Sequence, residues 1–114
     1  MHKEEEKIFL NKLLEEGTFN LENKRPQLAI EKFKKILIAR PNNSQILNLS
    51  CIAYLQLGNY NNALDCINQA IKNDPNEVGF YINLGNIYKD LKNYVGSKES
   101  YEKALKLNKK SVDA

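Results

Sequence analysis

Apolar side chains recur at three- and four-residue intervals in six successive stretches of the chain, each separated from the next by a short polar break. In the first stretch Ile8, Leu10, Leu13, Leu14, Gly17 and Leu21 share one face, which predicts a single helix over residues 3–22. Glu4, Glu5 and Glu6 fall in its first turn, where carboxylates favour the positive end of the helix dipole. Asn23, Lys24 and Arg25 then form a turn, and Pro26 suits the opening position of a helix over 26–40. Asn42, Asn43 and Ser44 offer caps for a third helix reaching Leu57, and Gly58 is a natural left-handed terminator. A fourth helix is expected over 60–73, Asp74-Pro75-Asn76 turns the chain, and a last pair is expected over 78–91 and 94–108. The turn inside that pair, Lys92-Asn93, contains no glycine, so Asn93 is expected to take the left-handed conformation.

The six stretches are three copies of one unit, because markers coincide at a constant shift of 34 residues. Gly17, Cys51 and Gly85 share a register, as do Ala29, Ala63 and Ser97, then Phe33, Ile67 and Tyr101, then Ile36, Ala70 and Ala104. Pro41 repeats as Pro75, and Tyr54 as Tyr88. The units tile 10–43, 44–77 and 78–111, with 1–9 leading into the first helix and 112–114 as a tail. Two antiparallel helices per unit explain the pattern. The small first-helix residues Gly17, Cys51 and Gly85 are expected to face the small second-helix residues Ala29, Ala63 and Ser97 and let the backbones approach, while a larger side chain from the middle of the second helix packs into the next unit. Pro41 and Pro75 stop the second helices, since proline lacks an N–H and disfavours helix in the residue before it.

The order Tyr81-x-x-Leu84-Gly85-x-x-Tyr88, followed by Tyr101 and Ala104, resembles the tetratricopeptide repeat, and the resemblance covers all three units. Departures are Leu13 and Leu47 where the family favours Trp, Ser50 in place of Leu, and Lys109 in place of Pro. The resemblance implies an all-α, right-handed α-solenoid of three helix-turn-helix repeats, six helices in all, with an extended first helix. It also implies a concave groove lined by the first helix of each unit. Carried onto this chain, the groove positions are Asn11, Leu14, Thr18, Leu21 and Glu22 in the first unit. In the second they are Gln45, Asn48, Ile52, Leu55 and Gln56. In the third they are Gly79, Ile82, Asn86, Lys89 and Asp90, with Asn83 one position along.

This set mixes amides with isolated aliphatics. An asparagine side chain carries both donor and acceptor and can pair with an extended peptide's backbone without reading its sequence. Ile52, Leu55 and Ile82 are expected to form shallow apolar pockets. A bland reading stands beside this one: the asparagines are solvated and follow the chain's general richness in that residue. A sharper expectation of the family, a clamp for the carboxylates of chaperone tails, finds no match. It needs cations at Leu14 and Gly79, amides at Thr18 and Leu49, and a guanidinium at Asn83. Without those cations a bound carboxylate loses charge-assisted bonds worth about 1.5–3 kcal/mol each.

Composition narrows the function classes further. The chain has 114 residues, 42% hydrophobic and 27% charged, enough for one modest core. A net charge of +3 is too small to argue for nucleic acid, and no aromatic at a groove position offers a base-stacking platform. The lysines at 32, 34 and 35, and at 103, 106 and 110, alternate with Glu31, Glu99 and Glu102 and read as solvated faces. No apolar run approaches a membrane span and MHKEEEKIF lacks a signal-peptide core, so a cytoplasmic location is expected.

Cys51 and Cys66 make no disulfide framework, and the single histidine, His2, leaves no metal-ligand cluster. Neither paired carboxylates, a nucleophile–histidine pair nor a phosphate-cradling glycine loop is present, so neither an enzyme nor a cofactor is expected. The polar Ser97, Lys98 and Ser100 suit the soluble outer face of an end unit. The last residues instead match the opening of another first helix, which points to an array that continues. The expected function is a non-catalytic protein–protein interaction scaffold that holds an unidentified peptide or partner helix in its groove. The alternative is an assembly element that self-associates through its ends, where Phe9, Leu10, Leu105 and Leu107 are apolar.

Overall fold

The computed structural model describes residues 2–113, and the side chains of residues 2–110. Six helices follow one another: α1 (Lys3–Glu22), α2 (Pro26–Ala39), α3 (Ser44–Gln56), α4 (Tyr60–Asn73), α5 (Val78–Asp90) and α6 (Tyr94–Asp113). No strand occurs among the described residues. Each helix packs on its neighbour in sequence, α1 with α2, α3 with α4 and α5 with α6. The pairs then stack through α2 on α3 and α4 on α5. The stack measures 45 × 35 × 21 Å. This is the α-solenoid that the repeat implies.

The helix ends follow from local chemistry. Asn43 caps α3, its side chain accepting from the Ile46 N–H at 3.1 Å, and Asn59 caps α4 in the same way through Asn62. Pro26 opens α2, and α2 and α4 stop just before Pro41 and Pro75. Lys109 stands where a third proline would fall, so α6 runs on through Asp113 rather than ending at 108. The backbone at 112 and 113 therefore belongs to α6 and opens no new helix there. Lys24, Gly58 and Lys92 share a register and all have positive φ, at 58°, 73° and 64°. The left-handed residue of the last turn is thus Lys92 and not Asn93. Asn93 instead accepts from the Gly96 N–H at 3.0 Å and caps α6, a bond that its side chain could not make one position earlier.

Two core clusters fill the spaces between layers. The first gathers Leu13, Ala29, Ile30, Phe33 and Ile36 with Ile46 and Ala53 of the next unit. The second gathers Cys51, Ala63, Ile67 and Ala70 with Phe80 and Ile87. Leu37 and Tyr54 pack against both and join them into one continuous core. At the crossings, the small first-helix residue makes room for the middle residue of its own second helix. A Cβ added at Gly17 would lie 2.6 Å from the Phe33 ring, and one at Gly85 would lie 2.5 Å from the Tyr101 ring. In the middle unit the larger Cys51 goes with the smaller Ile67, and both are fully buried. Ser97 and Ser100 are buried too, and Ser100 Oγ donates to the Gly96 carbonyl at 2.9 Å. They lie inside the last pair, not on its outer face: Ser97 repeats the buried Ala29 and Ala63, and Ser100 repeats the half-buried Lys32 and Cys66. Of the three polar residues expected there, only Lys98 is exposed.

Candidate peptide-binding groove

The first helices converge on one side of the stack. α3 and α5 touch directly, and Asn83 Nδ2 donates to Asn48 Oδ1 at 2.6 Å across the unit boundary. One layer earlier, Gln56 Nε2 approaches the Leu21 carbonyl at 3.4 Å, joining α3 to α1. The second helices α2, α4 and α6 make no comparable contact with one another. Close first helices and separated second helices give a layer that curves toward α1, α3 and α5.

Along this inner layer Asn11, Gln45 and Lys89 are exposed, whereas Leu14, Thr18, Asn48, Ile52, Leu55, Asn83 and Asn86 are half-buried. Ile82 remains 43% exposed. Leu21, which the family register places in the groove, is buried in the first core cluster and lines nothing. Glu22, Gln56, Gly79 and Asp90 are exposed.

Asn11 is exposed and solvated, but Asn48, Asn83 and Asn86 are not simply solvated. Asn48 and Asn83 bond each other, and the Tyr101 hydroxyl donates to Asn86 Oδ1. Each amide keeps unused capacity after these bonds: Asn83 retains its oxygen and one N–H, and Asn48 retains its whole amino group. Internal bonds fix the side chains and so lower the entropy lost when a ligand is gripped. The part played by Tyr101 was not visible in its spacing, which marks only a packing position. A second feature sits at the amino-terminal end, where a cavity of about 220 Å³ is lined by Lys7, Leu10, Asn11, Leu14, Ile36, Arg40, Asn43 and Ile46.

Among the described residues no group of His, Cys, Asp and Glu is arranged to hold a metal ion. Burial, with the Cys66 sulfur nearby, pushes the Cys51 thiol up to about 12. Burial, with Asp65 adjacent, raises Cys66 to about 11. Both thiols are therefore protonated and poor nucleophiles at neutral pH. Among the described residues no helix is long and apolar enough to cross a membrane.

Stacked hairpins with a shared inner layer of first helices define the class of helical-repeat scaffold proteins. Tetratricopeptide repeat models match residues 20–79 and 80–111, and the chain belongs to the tetratricopeptide repeat family, a family of protein-interaction folds. It is 31% identical to human Tetratricopeptide repeat protein 12 over 100 residues, which are 88% of this chain and 13% of that protein. The chain therefore spans a small part of that relative. Among solved structures it resembles the Sgt2 TPR domain of Aspergillus fumigatus, with a TM-score of 0.82 and 28% identity over 87% of this chain and 66% of that one. It also resembles the TPR2B domain of yeast Sti1 in complex with pHsp70, with a TM-score of 0.85 and 19% identity over 91% of this chain and 83% of that one.

Proposed function

We propose that this chain is a non-catalytic scaffold that binds an extended peptide or a partner helix along the α1–α3–α5 face. The observation that carries this reading is the amide strip of Asn48, Asn83 and Asn86. Its members are held by internal bonds while keeping donors and acceptors free, and they are flanked by the half-exposed aliphatics Ile52, Leu55 and Ile82. A neutral amide strip suits a peptide backbone, and the flanking aliphatics suit alternate apolar side chains. The Sti1 domain was solved with pHsp70, and that partner type is not carried over here. The present groove has Leu14, Gly79 and Asn83 where a carboxylate clamp would place cations.

Peptides selected from a random display library on the full chain provide the test. Asn48, Ile52 and Asn86 are poor substitution sites, because each also contributes to internal packing or bonding. Gln45→Glu with Lys89→Glu changes exposed inner-face groups only. The pair of changes is expected to weaken the selected peptides about tenfold or more, with helicity unchanged. Equal affinity of the double variant and the parent for every selected peptide contradicts the groove assignment.

A further inference from the structure

The corner where α1, α2 and α3 meet differs from its copy one unit along in a way that stacking does not require. The floor of its cavity is apolar, with Ile36 and Ile46 buried and Leu10 and Leu14 half-buried. Its rim is polar and exposed, and carries Lys7 and Arg40. A shift of 34 residues turns Arg40 into Asp74 and Asn43 into Glu77, and turns Ile46 into the larger Phe80. Ile46 and Phe80 are sealed at 3% and 2% exposure, so the hairpins stack equally well beside either charge. All three walls are helices of this chain, already packed in sequence. The corner also runs into the inner face, because Asn11 and Leu14 belong to both. At about 220 Å³ the cavity falls below the roughly 300–1,000 Å³ of small-molecule sites and suits a single side chain.

We infer that this corner anchors the groove's peptide through a bulky apolar residue with an acidic neighbour: the apolar side chain enters the cavity and the carboxylate takes the place of Glu6 on Arg40. The inference rests on the groove reading and adds the chemistry of the bound segment. Arg40 Nη2 pairs with Glu6, and Nη1 donates to the Ala39 carbonyl at 3.0 Å, which leaves further N–H donors of the guanidinium unused. The Arg40 side chain is 53% exposed and that of Glu6 34%. An ion pair this open to water is weak, so an incoming carboxylate exchanges with Glu6 at little cost. Lys7 stands on the same rim and enters no ion pair among the described residues. The arrangement is not the two-carboxylate clamp, whose cation positions hold Leu14 and Gly79 in this chain. Charge also orients the peptide, since Asp74 and Glu77 repel the same carboxylate from the next corner. Neighbouring first helices lie roughly 8–10 Å apart and an extended chain advances roughly 3.3 Å per residue. The segment therefore meets the Asn48–Asn83 amides about three residues from its anchor.

The probes are peptides selected from a random display library on the full chain, synthesised with a fluorescein label and titrated by anisotropy. They are expected to share Asp or Glu beside Leu, Ile, Met or Phe. Replacing that acid by its amide is expected to weaken binding about tenfold, and Arg40→Gln in the protein to do the same. Making both changes costs little more than either alone, because each removes the same contact. Glu6→Gln, which frees Arg40, is expected to strengthen binding about twofold or more. Both substitutions lie at the rim, and matching circular dichroism checks that the fold is kept. Unchanged affinity for Arg40→Gln overturns the inference, as do strictly additive losses or a loss with Glu6→Gln. Any of these results beside weakening by Gln45→Glu with Lys89→Glu leaves the groove reading standing. Peptides weakened by Arg40→Gln and indifferent to that inner-face pair contradict the groove reading instead.

Discussion

At the residue scale, the molecule solves one packing problem three times with different side chains. Gly17 with Phe33 and Gly85 with Tyr101 pair an absent side chain with a ring, whereas Cys51 with Ile67 pairs two of middle size. The sum of volumes at the crossing is conserved, not the size of either residue, as close packing requires. Gly17→Cys alone forces the Phe33 ring to move and is expected to cost about 1–3 kcal/mol. Phe33→Ile alone leaves a void and is expected to cost a similar amount, about 1–3 kcal/mol. The double change reproduces the middle unit's pair, so its cost is expected to fall well below the sum of the two. Urea denaturation of the four proteins reads this coupling directly, and strict additivity would contradict the account. The pairing of Gly17 with Phe33 was half legible in the sequence. The register showed that both positions were special, but spacing along each helix suggested that the glycine faced Ala29. Which neighbour a small residue faces depends on how the two helices are rotated, and a one-dimensional period does not carry that angle.

At the element scale, helix boundaries were the most readable feature, because caps and breakers act through a few adjacent bonds. α1 and α4 begin and end where spacing and turn residues put them. The misreadings also have local causes. Asn93 serves as a cap, so Lys92 takes the left-handed position, and Lys109 does not break α6 as a proline would have. The caps are unequal. Asn43 caps α3 with its side chain, while its repeat counterpart Glu77 makes no such bond to α5. Glu77→Asn is therefore expected to stabilise the protein by about 0.5–1 kcal/mol, and Asn43→Ala to destabilise it by about 1 kcal/mol. Thermal melts of the two variants check both signs. A fall in melting temperature for Glu77→Asn would show that the α5 terminus is held by something other than its cap.

At the scale of the whole molecule, three hairpins in register produce two different surfaces. The inner layer offers an amide strip with aliphatic flanks, and the last pair carries an apolar slot lined by Val78, Ile82 and Leu105. The family resemblance, carried along the period of 34, named the first-helix residues expected to share an inner layer. It did not show that Asn48 and Asn83 bond each other, because that contact spans two units and depends on how far one hairpin turns over the next. The same stacking angle buries Leu21 and leaves Ile82 at the edge of the end slot, although the family register treats both as groove residues. The measurement that bears most directly on the central claim is an amide ¹H–¹⁵N chemical-shift map of the full chain titrated with a display-selected peptide. The largest shifts are expected on α1, α3 and α5, around Thr18, Gln45, Asn48, Leu55 and Lys89, with α2 and α4 nearly silent. Shifts concentrated on α2 and α4 would mean that the inner layer is not where this protein binds.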